Sequence, residues 1–401
     1  MAEHAGRRVV IDGSMATGGG GYTYLVNVLP RLARLAPEDR FLVLLRNQRL
    51  ADAIPTVENI EVEVLPEAGL RDRLRFVWFG AARRAKAWGA DLYYSAGEYV
   101  PLLATCPVVA SFQNANVFTN LQQGWPWRQR LRFATLRMLA AISARRCRRI
   151  LFVSRDSARW MGDAISLPEH KRSWLHHGID LASWQPSATR TATGRPYVLS
   201  VSSIYRYKNY VRLIEAWALL ARRRADIPDL VIIGDNLDEP YAMEMEAARK
   251  ATGSLSERIH IIGGVPYEEI RKHYEGASLF VFPSYSETFG IPMIEAMASG
   301  VPLVASDIPV FREIAEDATF YADPYQPESI AHAMEEALFV PGARKMLVKR
   351  GLERARAFTW EKAADRLSVM FDEVLAERQT SPVTVPSATQ LQVPIWSGHE
   401  A

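Results

Sequence analysis

Cysteine is almost missing from this chain of 401 residues: Cys106 and Cys147 stand in separate segments, without a Cys-x-x-Cys pair or a Cys/His cluster. That excludes a disulfide framework and a structural zinc site, and it fits a reducing compartment. No stretch of about 18 apolar residues runs without charge, and the opening MAEHAGRRVVIDGS has no continuous apolar core, so neither a membrane span nor a signal peptide is expected. The expected location is cytoplasmic, with any membrane met from its inner face. There is no Walker lysine, no G-x-G-x-x-G register and no Asp-x-Asp closing a strand-like segment. What is present is globular composition, 48% hydrophobic and 23% charged, in a chain long enough for two or three domains with their own cores.

The net charge of +3 hides an asymmetry. Residues 1–190 carry 26 Lys and Arg against 16 Asp and Glu, net +10, and the remainder is net −7. Two readings stay open: a first half that attracts an anionic partner (a phosphorylated acceptor, a lipid headgroup or nucleic acid), or a solvated arginine-rich surface. Residues 125–149, WPWRQRLRFATLRMLAAISARRCRR, place eight arginines in a helical pattern, and RLRFVWFGAARR (73–84) mixes Arg with Phe and Trp. Such stretches suit an anionic membrane surface, and equally a helix with a core-facing apolar stripe and a basic solvated back.

Short runs rich in Val, Ile, Phe and Tyr alternate with amphipathic stretches. Strands are expected at 8–12, 41–45, 60–65, 91–95, 107–111 and 149–154, and the rhythm restarts at 197–201, 229–234, 258–263, 278–283, 301–306 and 318–322. Alternation of this kind predicts parallel sheets with helices on both faces, hence an α/β protein of two doubly wound domains facing a cleft. The segment 183–196 has linker composition and is the expected hinge, and the end of the chain reads as a disordered tail.

Chemistry concentrates in two loops. Gly18 to Gly21 follow the first strand and precede a helix, where glycine lets backbone approach a ligand; the bland alternative is a flexible turn. In FVFPSYSETFGIPMIEAMASGVPLVAS (280–306) a buried strand gives way to a polar loop with Glu287, then Gly290, Ile291 and Pro292 open a helix that carries Glu295. Both carboxylates then border an electropositive helix N-terminus, which suits a diphosphate flanked by two sugars, although a lone acid at that place also just complements the helix dipole.

Glu287 and Glu295, with seven residues between them, closely resemble the E-x7-E signature of retaining, nucleotide-sugar-dependent glycosyltransferases of family 4, which have the GT-B fold. The glycine loop, ILFVSRDSAR (150–159), LHHGIDLASWQP (175–186), SVSSIYRYKN (200–209), HIIGGVPYEEI (260–270) and FTWEKAADRLSVMFDEVL (358–375) are similar to other family landmarks in the same order. The resemblance implies an acceptor-binding Rossmann-like domain over 1–185, a donor-binding domain over 186–357, a helix at 358–377 crossing back to the first domain, and a tail at 378–401. It implies that Glu287 contacts the donor sugar, Glu295 the ribose and Lys208 the diphosphate. Gly19, Gly20, Ser203, Arg206, Gly234, Val265, Phe289, Gly290 and Ile291 complete the implied donor site.

Two positions depart from the family pattern. Ser203 stands where an Arg is usual five residues before Lys208, and Arg206 is the candidate replacement. Gln113 and Asn114 stand where many members have His-Asp, and neutral amides cannot serve as a general base. They are expected to orient acceptor hydroxyls while the leaving phosphate takes the proton, unless both are structural loop amides. His176 and His177 are expected to be loop residues without metal partners. The implied reaction moves a hexose from a nucleoside diphosphate sugar to a glycan, lipid-linked or small polyhydroxyl acceptor, with no metal, no cofactor and no nucleic acid. The alternatives are a nucleotide-sugar epimerase or phosphorylase on the same fold, or a non-catalytic protein binding membrane or nucleic acid.

Overall fold

The computed structural model describes residues 6–16, 19–118, 127–186 and 196–380. Gly18, residues 187–195 of the expected hinge and residues 381–401 of the expected tail lie outside the described residues. Thirteen strands are described: β1 (Arg8–Asp12), β2 (Arg40–Leu45), β3 (Ile60–Val64), β4 (Leu92–Ser95), β5 (Val108–Phe112), β6 (Arg149–Phe152) and β7 (Arg172–Trp174), then β8 (Tyr197–Val201), β9 (Asp229–Ile233), β10 (Ile259–Ile262), β11 (Ala277–Phe282), β12 (Leu303–Ser306) and β13 (Phe320–Ala322). They form two sheets in the orders β3-β2-β1-β4-β5-β6-β7 and β10-β9-β8-β11-β12-β13. The neighbours pair in parallel throughout. Central strands such as β1, β5 and β11 are continuous Val, Ile, Phe and Leu runs because both faces are covered by helices. Edge strand β7 has no apolar run, and only the resemblance marks a strand end near His176.

In each sheet the order reverses beside its first strand, between β1 and β4 and between β8 and β11. Open α/β sheets hold ligands beyond the carboxyl ends of their strands at such a reversal. The loops that follow these four strands come together around one cleft.

The last helix, Trp360–Thr380, packs on helix Gly19–Leu35 of the first domain. Trp360, Leu367, Met370, Phe371 and Val374 share a core with Tyr24, Leu25 and Leu29. Burying side chains of this size stabilises by roughly 1.5–3 kcal/mol each as an upper bound. The buried Arg7 locks the arrangement: its Nε donates to Asp39 at 2.7 Å, and its terminal nitrogens reach Asp372 at 2.7 Å and Ser368 Oγ at 2.8 Å. The crossing helix is thus part of the first domain's core.

The arginine-rich stretch forms helix Trp127–Arg146. Ala140, Ser143 and Ala144 are buried and Phe133, Leu136 and Leu139 pack against the core, so one face meets the domain. A second apolar stripe of Trp127, Leu131, Met138 and Ile142 is exposed. Their spacing of 4, 7 and 4 residues puts them on one side of the helix. No helix among the described residues is long and apolar enough to cross a membrane.

Candidate active site

β11 ends at Phe282, and Pro283, Ser284 and Tyr285 carry the chain away from the sheet before helix Ile291–Ala298 begins. Gly290 caps that helix at φ +98°, in the left-handed region, and a Cβ there would meet Phe311 at 3.1 Å. Glycine is therefore required for this turn, and Pro at the second helical position costs no hydrogen bond. The result is a helix whose first N–H groups face the cleft, with Glu287 in the loop just before it.

Lys208 comes from the equivalent loop after β8, in the helical turn Arg206–Lys208. Its Nζ donates to Glu287 Oε1 at 2.5 Å, and Ser284 Oγ donates to the same oxygen at 3.1 Å. Both charged side chains are about nine-tenths buried. Asn209 sews the two loops together: at φ +62°, its amide donates to the carbonyls of Pro283 at 2.9 Å and Pro324 at 2.7 Å. Tyr285 N–H also donates to Tyr207 O at 2.8 Å. The ion pair therefore sits in a rigid frame.

Across the cleft stand the loops of the first domain. A cavity of about 440 Å³ is lined on this side by Met15, Ala16, Gly20 and Gly21 after β1, Ala96, Gly97 and Glu98 after β4, and Gln113 and Asn114 after β5. On the other side it is lined by Lys208, Glu287 and residues 288–292, with His177 between the domains. Gly20 has nothing within 4 Å of the direction a side chain would take, which leaves the cavity open there. Gly19 is the first residue of the helix behind the loop. Thr288 bridges the domains: its Oγ1 donates to Gln113 O at 3.1 Å, and its carbonyl accepts from Ser154 Oγ at 2.7 Å.

Glu98 carries no motif and escapes sequence reading. Its Oε1 accepts the N–H groups of Asn114 at 3.0 Å and Gln113 at 3.3 Å. Burial raises its pKa, against the pull of those N–H groups. His177 is buried among Tyr24, Phe289 and Trp360, and desolvation, aided by neighbouring His176, lowers it to about 3, so it stays neutral. Among the described residues its Nδ1 has no hydrogen-bond partner.

Glu295 lies inward of the cavity wall, 4% exposed, where Tyr274 OH donates to its Oε2 at 2.9 Å and Tyr267 is a second donor. Burial raises its pKa to about 7 in spite of both donors. Arg206 is drawn to the neighbouring helix Glu239–Ala251, where Glu244 grips it through bonds of 2.6 and 2.6 Å over the ring of Tyr241. It does not line the cavity. Ser203 is half-buried in the loop after β8. Gly234 ends β9 against Ser202, whose carbonyl oxygen would lie 1.9 Å from a Cβ. Val265 packs at the margin of the second domain's core.

Among the described residues no group of three or more His, Cys, Asp and Glu side chains is arranged to hold a metal ion. A larger groove of about 760 Å³ lies against helix Ala343–Ala355 and shares no lining residue with this cavity. Its walls are already paired, Arg354 with Glu316 at 3.0 Å and Arg350 with Asp317 at 3.3 Å.

Two doubly wound domains meeting at their strand ends, with a final helix returned to the first, define the GT-B architecture. Known proteins agree. Residues 18–183 match the model of Glycosyltransferase Family 4 and residues 185–354 that of Glycosyl transferases group 1. The O-antigen chain mannosyltransferase RfbU of Salmonella typhimurium is 24% identical over 82% of this chain and 89% of its own. The O-antigen chain mannosyltransferase B of Escherichia coli is 32% identical over 41% of this chain and 42% of its own, so that match spans less than half of either protein. The Anabaena protein HepE, solved with UDP and glucose, superposes with a TM-score of 0.72 over 92% of this chain and 100% of its own at 16% identity, which speaks for the fold. The chain belongs to the family 4, group 1 glycosyltransferases.

Proposed function

We propose that this protein transfers a hexose from a nucleoside diphosphate sugar to a glycan, lipid-linked or small polyhydroxyl acceptor, with retention of anomeric configuration and without a metal ion. The observation that carries this reading is the Lys208–Glu287 pair beside the N-terminus of helix Ile291–Ala298, facing Gly20 and Gly21 across a narrow cavity. The helix N-terminus and Lys208 meet the diphosphate, whose negative charge grows as the bond to the sugar breaks. Glu287 keeps lone pairs beyond those used by Lys208 and Ser284 and offers them to hexose hydroxyls. Phe289, Gly290 and Ile291 form the wall against the phosphates, Glu295 is assigned to the ribose and meets it only where that wall opens, and Gly234 and Val265 stand on the base side.

The acceptor oxygen attacks the anomeric carbon on the face from which the diphosphate departs. As the carbon–phosphate oxygen bond breaks, the acceptor proton passes to a phosphate oxygen, and Gln113 and Asn114 orient the hydroxyls. Arg206 and Ser203 border the diphosphate, and Arg206 joins Lys208 there only by leaving Glu244. Contacts across the cleft exclude water from the reacting bond. The mannosyltransferases among the relatives favour a mannose donor and HepE, solved with UDP and glucose, a UDP-sugar, so GDP-mannose and UDP-glucose are both to be assayed.

The acceptor side is read together with helix Trp127–Arg146. Its exposed apolar stripe, flanked by Arg128 and Arg132, is suited to an anionic membrane surface, which brings a lipid-linked acceptor to the cleft. Proton NMR of the product tests the central reading: an α-linked product from an α-linked donor supports it, and an inverted product or donor conversion without acceptor opposes it.

A further inference from the structure

Besides Lys208, Glu287 and the neutral His177, the cavity presents one titratable side chain, Glu98. It stands on the first-domain wall after β4, and two backbone N–H groups from the turn after β5 bind its Oε1. A third N–H, its own, also reaches the carboxylate. An ionised carboxylate offers about four lone-pair sites, so three donors orient the group and leave acceptor capacity facing the cavity. Gln113 Nε2 donates to Ser111 Oγ at 2.9 Å and the main-chain carbonyl of Gln113 accepts from Thr288, which fixes the turn beside Glu98. Among the described residues that line the cavity, Glu98 is thus the one carboxyl group on the side opposite Glu287.

The cations are as telling. Lys208 is the one cationic side chain among the described residues of the cavity, and it is paired with Glu287 and claimed by the donor diphosphate in the reading above. Arg132 lies within electrostatic reach of Tyr99, the residue after Glu98, and of Tyr205 in the loop after β8, so positive charge also stands near this wall.

We infer that Glu98 is an acceptor-binding residue, its carboxyl group accepting hydrogen bonds from hydroxyls of a sugar or polyol acceptor beside the Gln113–Asn114 turn. The inference rests on the glycosyltransferase reading and adds a named acceptor-binding residue to it. The test uses the full chain with GDP-mannose and UDP-glucose as donors, and methyl α-mannoside, methyl α-glucoside, octyl α-mannoside and myo-inositol as acceptors, the mannoside and inositol each also as a monophosphate. Glu98→Gln and Glu98→Ala should raise the acceptor KM tenfold or more with the donor KM little changed, and Glu98→Gln, which keeps an acceptor oxygen for the turn, should do so with the melting temperature of the nucleotide-bound protein little changed. Transfer by the wild-type protein to none of these overturns the underlying reading and the inference with it. Wild-type transfer that both variants leave at the same acceptor KM overturns the role of Glu98 alone.

Discussion

Lys208 Nζ and Glu287 Oε1 meet at 2.5 Å although 79 positions separate them, because β8 and β11 are neighbours at the reversal point of the second sheet. Removing one partner leaves the other charge buried and uncompensated, a loss on the order of 3 kcal/mol. Lys208→Ala and Glu287→Ala should each destabilise the fold, and the double variant should be more stable than the two single losses added together. Turnover should fall by roughly 10²–10³ in each single variant, the scale for one preorganised charge in an active site, and should not recover in the double variant. Urea unfolding and steady-state kinetics on the same samples check both.

Glu295 gives the protein a pH signature. Its carboxyl is raised from 4.5 to about 7 by burial, so the folded state holds a proton that the unfolded chain has released. Stability should therefore fall as pH rises from about 4.5 to 7 and level off above, by about 3 kcal/mol at most from this group. Glu295→Gln should flatten that slope and be as stable as the wild type at pH 5 and more stable at pH 8. A Gln variant with the same pH slope as the wild type would mean that Glu295 is ionised in the folded protein.

Glu313 latches the domains. Placed by helix Pro309–Ala315 of the second domain, it accepts Arg155 and Asp156 N–H at 2.8 and 2.9 Å, at the start of helix Arg155–Ala164 of the first, and His176 Nε2 lies 2.7 Å from Oε1. Burial pushes its carboxyl up, but the His176 bond and the two N–H groups outweigh it and the net shift is downward. The contact is therefore present above pH 4.5 and lost as pH falls through the lowered value. Glu313→Ala should increase the radius of gyration seen by X-ray scattering at pH 7 and lower turnover about tenfold, the scale of one charge-assisted hydrogen bond. An unchanged scattering curve would show that the latch does not govern closure.

Much of this was legible beforehand, for definite reasons. Buried parallel strands are written as unbroken apolar runs, and each run expected from the sequence is a strand. Helix Ile291–Ala298 announces itself through Gly290 and Pro292, whose backbone constraints are local. Glu98 was not legible, because its meaning arises only when β4 and β5 lie side by side and their loops meet. The grip of Glu244 on Arg206 spans 38 positions and leaves no periodic trace. Helical periodicity in residues 127–146 marked amphipathic character but could not say that Leu136 and Leu139 would take the core and Leu131 and Met138 the solvent.

That exposed stripe makes a prediction of its own. Trp127→Glu with Leu131→Glu should abolish flotation with anionic liposomes while leaving the melting temperature within about 1–2 °C, since exposed sites contribute little to stability. Binding should also weaken with salt, because arginines flank the stripe. Flotation unchanged in the double variant would assign the stripe no part in membrane contact.

The most direct test is a crystal structure of the protein with a bound nucleoside diphosphate sugar, GDP-mannose or UDP-glucose. The phosphates are predicted to lie against the N–H groups at Gly290 and Ile291 within reach of Lys208, with the hexose on Glu287. A donor bound outside the cleft between the two sheets, or one whose phosphates lie away from both Lys208 and this helix, would contradict the account.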